Sequence, residues 1–284
     1  MSPEPAAPTP GSYDHVAGRS AAAEADRLRR QVADLWVRER EVLVRLGLRA
    51  GLRILDVGCG PGAFLARVAA DFPPALAAGV DREVEHARRA GAAGAGPGAG
   101  PPAPGGAIRI RAFQGDAAAL PVPSGTFDLV LLRLVLRHLP DPAAAIAEAL
   151  RVLRPGGVVL AVDADDGVMV LDPEPGGWPA LRDALDATAR RRGGDPHLGR
   201  RVARLLHEAG AADVQTAVLP VTTADVGAPA WVEMFLAPDA RPVAADLLAP
   251  EDARACWSAA RAWAKRSDVH GVALGFYASG RKPR

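Results

Sequence analysis

Residues 54–62 read ILDVGCGPG. An apolar run that closes on an acidic residue and then breaks into glycine is the end of a buried strand passing through a tight turn into a helix. The spacing of that turn decides what it can hold. A dinucleotide loop needs GxGxxG, whose third glycine brings the helix close while the helix N-terminus receives a pyrophosphate. Here the glycines fall at Gly58, Gly60 and Gly62, with Pro61 between the last two. Proline suits the first helical position, where its missing N–H costs nothing. Asp56, at the strand end, repels a pyrophosphate and favours a cationic or amine-bearing ligand. It also suits a plainer task, ordering the loop through backbone N–H groups.

Outward from this turn the chain alternates. The spacing predicts a helix over 61–70, a strand over 77–80, a helix over 83–90, strands over 108–114 and 127–132, and a helix over 142–153. A turn, RPGG at 154–157, then leads into the strand VVLAVD. Strands alternating with helices of this length indicate right-handed βαβ crossovers and a parallel sheet. Further helices are expected over 181–192, 200–209 and 250–266, a strand over 214–221, and a final strand in VALGFYASG. The order amounts to five βα steps and two more strands, with inserted cap segments at 168–198 and 229–248. Residues 91–107, GAAGAGPGAGPPAPGGA, read as a flexible insertion.

Ahead of the main domain, 51–284, lies a segment of different character. Residues 1–11 are rich in Pro and Ala and are expected to be a disordered tail. Within a lid segment, 12–50, Leu28, Val32, Leu35, Trp36, Val42, Leu43 and Leu46 recur at helical spacing among arginines and glutamates. A long amphipathic helix over 24–46 follows.

Composition limits the class. With 284 residues, 49% apolar, the chain can bury a substantial core as one unit. A formal net charge of +1 supplies no field that would draw it to nucleic acid or to an anionic membrane surface. No apolar run approaches the roughly 18 residues of a spanning helix, and the start carries no secretory pattern. Two cysteines, Cys59 and Cys256, make no disulfide framework and fit a reducing compartment. A soluble cytoplasmic protein is expected. No His, Cys and carboxylate grouping has metal-ligand spacing, so no metal is expected.

Two further acidic residues end strands. Asp81, in GVDRE, is placed to accept from both hydroxyls of a ribose, or else to cap the next helix. Asp116, in QGDAAALP, could accept from an exocyclic adenine amine. Together they ask for an adenosine with a positively charged, amino-acid-like tail and no phosphate. The segments ILDVGCGPG, GVDRE, QGDAAALPVPSGTFDLVLLRLVLRHLPDP and ALRVLRPGGVVLAVD, in this order, resemble class I S-adenosylmethionine-dependent methyltransferases. More narrowly, they are similar to the small-molecule branch of ubiquinone and menaquinone biosynthesis enzymes. The resemblance covers 52–162 firmly and 269–283 more loosely.

That resemblance implies an α/β, Rossmann-like, seven-stranded sheet sandwiched by helices, with the last strand antiparallel. It implies S-adenosyl-L-methionine as cofactor and S-adenosyl-L-homocysteine as product. Gly58, Gly60 and the nearby backbone, Cys59 included, would approach the methionine part. Asp81 would hold the ribose, Arg82 lie along the adenine, Asp116 and Ala117 meet the adenine edge, and Arg133 lie near the methionine carboxylate. Tyr13, Arg27 and Gln31 resemble the front segment of some bacterial members, which closes over the cofactor. Arg27 and Gln31, four apart, share one helix face.

The acceptor is less defined. If it is a phenol, hydroxyl or acidic carbon, a base must remove its proton; His138, His197 and Asp163 are the candidates. One of Asp163, Asp165 and Asp166, just past the fifth strand, is expected to face the substrate. His86 reads as a residue without a role. The tryptophan-bearing segments 168–178 and 231–236 suggest a hydrophobic pocket for an aromatic or polyketide-like secondary metabolite. A homodimer is compatible with the sequence. Two rivals share the fold: methylation of RNA or protein, kept open by the arginines at 190–192, 200 and 201, and a protein that binds the cofactor without methylating, or uses it for cyclisation.

Overall fold

A computed structural model describes residues 21–93, 109–236 and 247–284. Its centre is a run of parallel strands: β1 (Arg53–Val57), β2 (Leu76–Asp81), β3 (Ile110–Gln114), β4 (Phe127–Arg133) and β5 (Leu153–Ala164). Four of the five residues of β1 and all but the last of β4 are buried, as expected of strands covered on both faces. Helices α2 (Ala63–Asp71), α3 (Val84–Ala93) and α4 (Pro142–Val152) make the crossovers. Asp141 caps α4, its carboxylate accepting from the Ala144 N–H at 3.0 Å, with Pro142 at the first helical position.

The remaining strands are β6 (Val170–Asp172), β7 (Ala212–Thr222) and β8 (His270–Arg281). The sheet runs β3-β2-β1-β4-β5-β8-β6, with β7 also paired to β8. The last strand, β8, is antiparallel to β5 and to β7, as expected. Among the described residues the expected count of seven is exceeded by one. β8 is twelve residues long, and β5 covers it only from Gly275 onward. The exposed edge left at His270–Val272 is taken by β6, inside a segment expected to be helical cap. The RPGG turn is found as an irregularity inside β5: Phe127 pairs with Leu153 but Leu129 with Val158, so 154–157 bulge out.

Alternate strand residues face opposite sides. Leu55, Val57, Val130 and Leu132 pack with Ile146, Ala149 and Leu150 of α4 and with Leu205 and Leu206 of α6 (Val202–Glu208). Ile54, Leu129 and Leu131 pack with Phe64 and Leu65 of α2 and with α1 (Ala21–Arg45). A third core lies under the cap helices α5 (Trp178–Arg191), α8 (Ala228–Phe235) and α9 (Pro250–Trp263), with the short α7 (Thr223–Val226) leading into α8. α1 is described from Ala21, three residues ahead of the predicted start, and the predicted stripe is buried except at Leu28, which is partly exposed. It is pinned at Trp36, whose indole N–H donates to Asp71 at 2.7 Å and whose ring meets Phe64 edge-on. The tail at 1–11, Tyr13, and nearly all of the 91–107 insertion lie outside the described residues, as do 237–246 of the second cap segment.

Candidate active site

The glycine turn is built by necessity at two places. Gly58 has φ +71°, and a Cβ there would sit 2.4 Å from a methyl of Val135. Gly62 has φ +81°, and a Cβ there would meet the backbone of Ala90 at 2.7 Å, so this glycine lets α2 and α3 approach. The turn is tied to β2: the N–H groups of Gly58 and Cys59 both donate to the Val80 carbonyl, at 2.8 and 3.0 Å. Cys59 turns its sulfur toward Gly79, where a Cβ would lie 2.7 Å from it. Burial, together with the charges of Asp56 and Asp81, pushes the Cys59 thiol far above its usual range, so it is a space-filling thiol, not a nucleophile.

Above this turn the strand ends open onto a cavity of about 620 Å3, within the range of small-molecule sites. Its wall includes Arg27, Gln31, Asp56, Gly58, Cys59, Gly60, Asp81, Arg82, Asp116, Ala117 and Arg133. Every residue assigned to the cofactor from the sequence is therefore brought together here, apart from Tyr13, which is not described.

Asp81 does two structural jobs at once. One carboxylate oxygen accepts from the Gly60 N–H at 2.7 Å and the other from the Glu83 N–H at 2.9 Å, the start of α3. His86, given no role from the sequence, stands 3.4 Å from the same carboxylate, and that contact raises the imidazole pKa. A carboxylate offers about four lone-pair sites, so capacity for a further donor remains. Asp116 accepts from the Ala118 N–H at 2.8 Å, which shapes the turn after β3. Asp56 is buried, and burial pushes its carboxyl up to about 7, against the lowering effect of the Arg133 guanidinium.

Arg133 is held from an unexpected side. Its guanidinium Nε and Nη2 donate to the two carboxylate oxygens of Glu39 on α1, at 2.8 and 3.0 Å, and it lies 4.6 Å above the Phe64 ring. Glu39 is fully buried, and the Tyr277 hydroxyl of β8 donates to it at 3.3 Å. Burial and that carboxylate raise the Tyr277 pKa, keeping its proton in place. The sequence carried a signal for this cluster. Position 39 falls within the apolar stripe of Leu35, Trp36, Val42 and Leu43, where a charge demands a partner.

At the opposite end the wall is formed by the segment after β4, the end of β5, and α8. His138 faces the cavity, and burial with the neighbouring Arg137 charge lowers its pKa to about 3. It is a neutral imidazole at physiological pH and a weak base. Of the three acidic residues after β5, Asp166 is the one on the wall, paired bidentately with Arg137. Asp163 is fully buried and off the wall: its carboxylate accepts from the backbone N–H groups of Arg137 and Ala164, both at 3.0 Å. Asp165 pairs with Arg200. His197 is also off the wall, 2.8 Å from Asp186 and 3.1 Å from Arg190. Among the three base candidates the structure thus brings only His138 to the cavity. The tryptophans depart from expectation as well: Trp178 and Trp231 are buried in the cap core, with the Trp231 N–H donating to the Val221 carbonyl at 2.9 Å. Met234 and Phe235, on the same helix as Trp231, are the residues that reach the cavity.

Residues 55–161 match a family model described as a methyltransferase domain. Over these residues the chain is similar to class I S-adenosylmethionine-dependent methyltransferases. The chain is 34% identical over 148 residues to a demethylmenaquinone methyltransferase of Roseiflexus castenholzii, covering 51% of this chain and 56% of that one. It is 35% identical over 193 residues to an uncharacterised 37.1 kDa transposon protein of Streptomyces fradiae, covering 64% and 49%. The chain thus spans about half the length of the curated relatives it matches. A solved structure, the [4+2]-cyclase SpnF, superposes with a TM-score of 0.54 at 24% identity, covering 89% of this chain and 82% of that one, a likeness of fold.

The donor set fits the family's cofactor. Carboxylates at the ends of three adjacent strands suit a nucleoside with a cationic tail, and a buried carboxyl poised near 7 gains most from a cation beside it. No helix among the described residues is long and apolar enough to cross a membrane.

Proposed function

We propose that this chain transfers a methyl group from S-adenosylmethionine to a small, hydrophobic or aromatic acceptor, at oxygen, nitrogen or carbon. The observation that carries this reading is the convergence of Asp56, Asp81 and Asp116 with the Gly58–Gly60 turn on one cavity. When bound, the cofactor supplies an activated methyl group, so the protein's work is alignment and the exclusion of water. Asp81 would hold the ribose with the acceptor capacity left after Gly60 and Glu83, and Asp116 and Ala117 the adenine edge. Gly58, with no Cβ, would let the backbone run close to the tail. Arg27 and Gln31, on one face of α1, line the cavity beside Glu39 and close it from outside the sheet. His138 would meet the acceptor as a neutral hydrogen-bonding group.

Calorimetric titration with S-adenosylmethionine, S-adenosylhomocysteine and NAD tests this. Micromolar binding of the first two is expected; binding of NAD alone would overturn it.

A further inference from the structure

The cavity has two chemically different ends, set by the order of the strands. Neighbouring strands stand about 4.8 Å apart, so the ends of β3 and β8, five places apart in the sheet, lie on the order of 24 Å from each other. Asp56, Asp81, Glu83 and Asp116 stand at the β1–β3 end. The β4–β8 end is walled by Leu134, Val221, Met234, Phe235 and Leu274, together with two guanidinium groups.

Both of those guanidinium groups are closed. Arg133 gives two donors to Glu39, and Arg137 gives Nη1 and Nη2 to Asp166. A guanidinium already paired bidentately with a carboxylate keeps N–H donors but offers a second carboxylate no net counter-charge. His138 carries no charge there at neutral pH. An anion entering this end would leave water without gaining a counter-charge from the described wall.

We propose, resting on the methyltransferase reading above, that the β4–β8 end takes an uncharged acceptor with an apolar body and rejects carboxylates and phosphates, and that Asp166 imposes this choice by closing the fork of Arg137. Asp166 is a specificity-determining residue in this view. Its pair with Arg137 is partly exposed, with 17% and 32% of the two side chains accessible, so the fork faces the cavity and can be opened without unpacking the core.

The test uses the full chain saturated with S-adenosylhomocysteine, titrated by calorimetry with naphthol and with naphthoate, which share one ring system and differ in charge. Naphthol is expected to bind, with naphthoate at least about tenfold weaker, a difference of about 1.4 kcal/mol. In Asp166→Asn, which removes the paired negative charge from the Arg137 fork, naphthoate is expected to gain at least about tenfold while naphthol changes by less than about threefold. Equal binding of the two probes by the unmodified protein would overturn the proposal, as would a folded Asp166→Asn that gains nothing for naphthoate. If neither probe binds to protein that does take up S-adenosylhomocysteine, the apolar end is not an acceptor site and the proposal also fails. The wild-type comparison decides the matter should the variant not fold. Failure to bind S-adenosylhomocysteine is a separate result, and it would count against the methyltransferase reading itself.

Discussion

A carboxyl group buried at the end of β1 makes this site sensitive to pH. Asp56 has its pKa raised to about 7 by burial, and Asp163 to about 6 for the same reason. A group that holds its proton more tightly when folded stabilises the fold fully below the unfolded pKa, and that contribution is lost as pH rises through the folded one. The ligand-free protein should therefore be less stable at pH 8 than at pH 5, by on the order of a few kcal/mol, as read by urea unfolding. Asp56→Asn should flatten that slope. A cationic ligand reverses the balance, since it favours ionised Asp56. Affinity for S-adenosylmethionine should rise severalfold between about pH 6 and about pH 7.5, and calorimetry across that window should show no such rise in Asp56→Asn. Asp81 differs because its carboxylate is already in use. Asp81→Ala frees two backbone N–H groups at once, so cofactor affinity should drop at least about tenfold while stability falls by about 1–2 kcal/mol. An unchanged affinity would place the pocket elsewhere. Asp81 was legible because an acidic residue closes an apolar strand just before a helix. His86 was not, since a lone histidine in an Arg- and Glu-rich helix shows its partner only once the turn brings it over Asp81.

Among the elements, α1 belongs to the site as much as the sheet does. It supplies Arg27, Gln31 and Glu39 to the cavity, and its docking rests on a buried ion pair, side chains 8% and 1% exposed, at the end of β4. Removing one partner of such a pair leaves the other charged and unpaired in the interior, which costs about 3–5 kcal/mol. Glu39→Ala should thus destabilise the protein by that amount in urea unfolding. Glu39→Gln keeps an acceptor oxygen for Arg133 and should cost less. Equal stability of Glu39→Ala and the parent would mean that α1 does not rest on this contact. The helix itself was legible from its apolar spacing, because packing on a sheet face demands that period. The identity of its partner was not, since nothing local says that position 39 meets Arg133, 94 residues away. The same limit hid β6. A three-residue strand has no periodicity to display, and it exists because β8 outruns β5.

At the scale of the molecule, the described residues form three cores that divide the labour. The two that flank the sheet hold the strand ends in register, and the third, built on Trp178, Trp231, Trp257 and Trp263, carries the cap. Aromatic residues in an inserted segment suggested a pocket lining from the sequence, because composition cannot separate a residue that faces a ligand from one that faces its own helix neighbours. The geometry separates them. Trp231 is fully buried against Phe235 and Trp263, at centroid distances of 5.1 and 6.2 Å, while Met234 and Phe235 reach the cavity. The cap tryptophans then act on the proposed acceptor end through packing, and the β1–β3 end proposed for the cofactor, three or more strands away, should depend on them little. Trp231→Ala removes a fully buried ring and should cost about 3–5 kcal/mol. Amide hydrogen exchange should rise in α8, α5 and β6 and stay low in β1, β2 and β4. Affinity for S-adenosylhomocysteine should remain within about twofold of the parent at temperatures where the variant is folded. A loss of cofactor affinity as large as the loss of cap protection would instead mean that cap and sheet fold as one cooperative unit, with donor and acceptor ends energetically coupled.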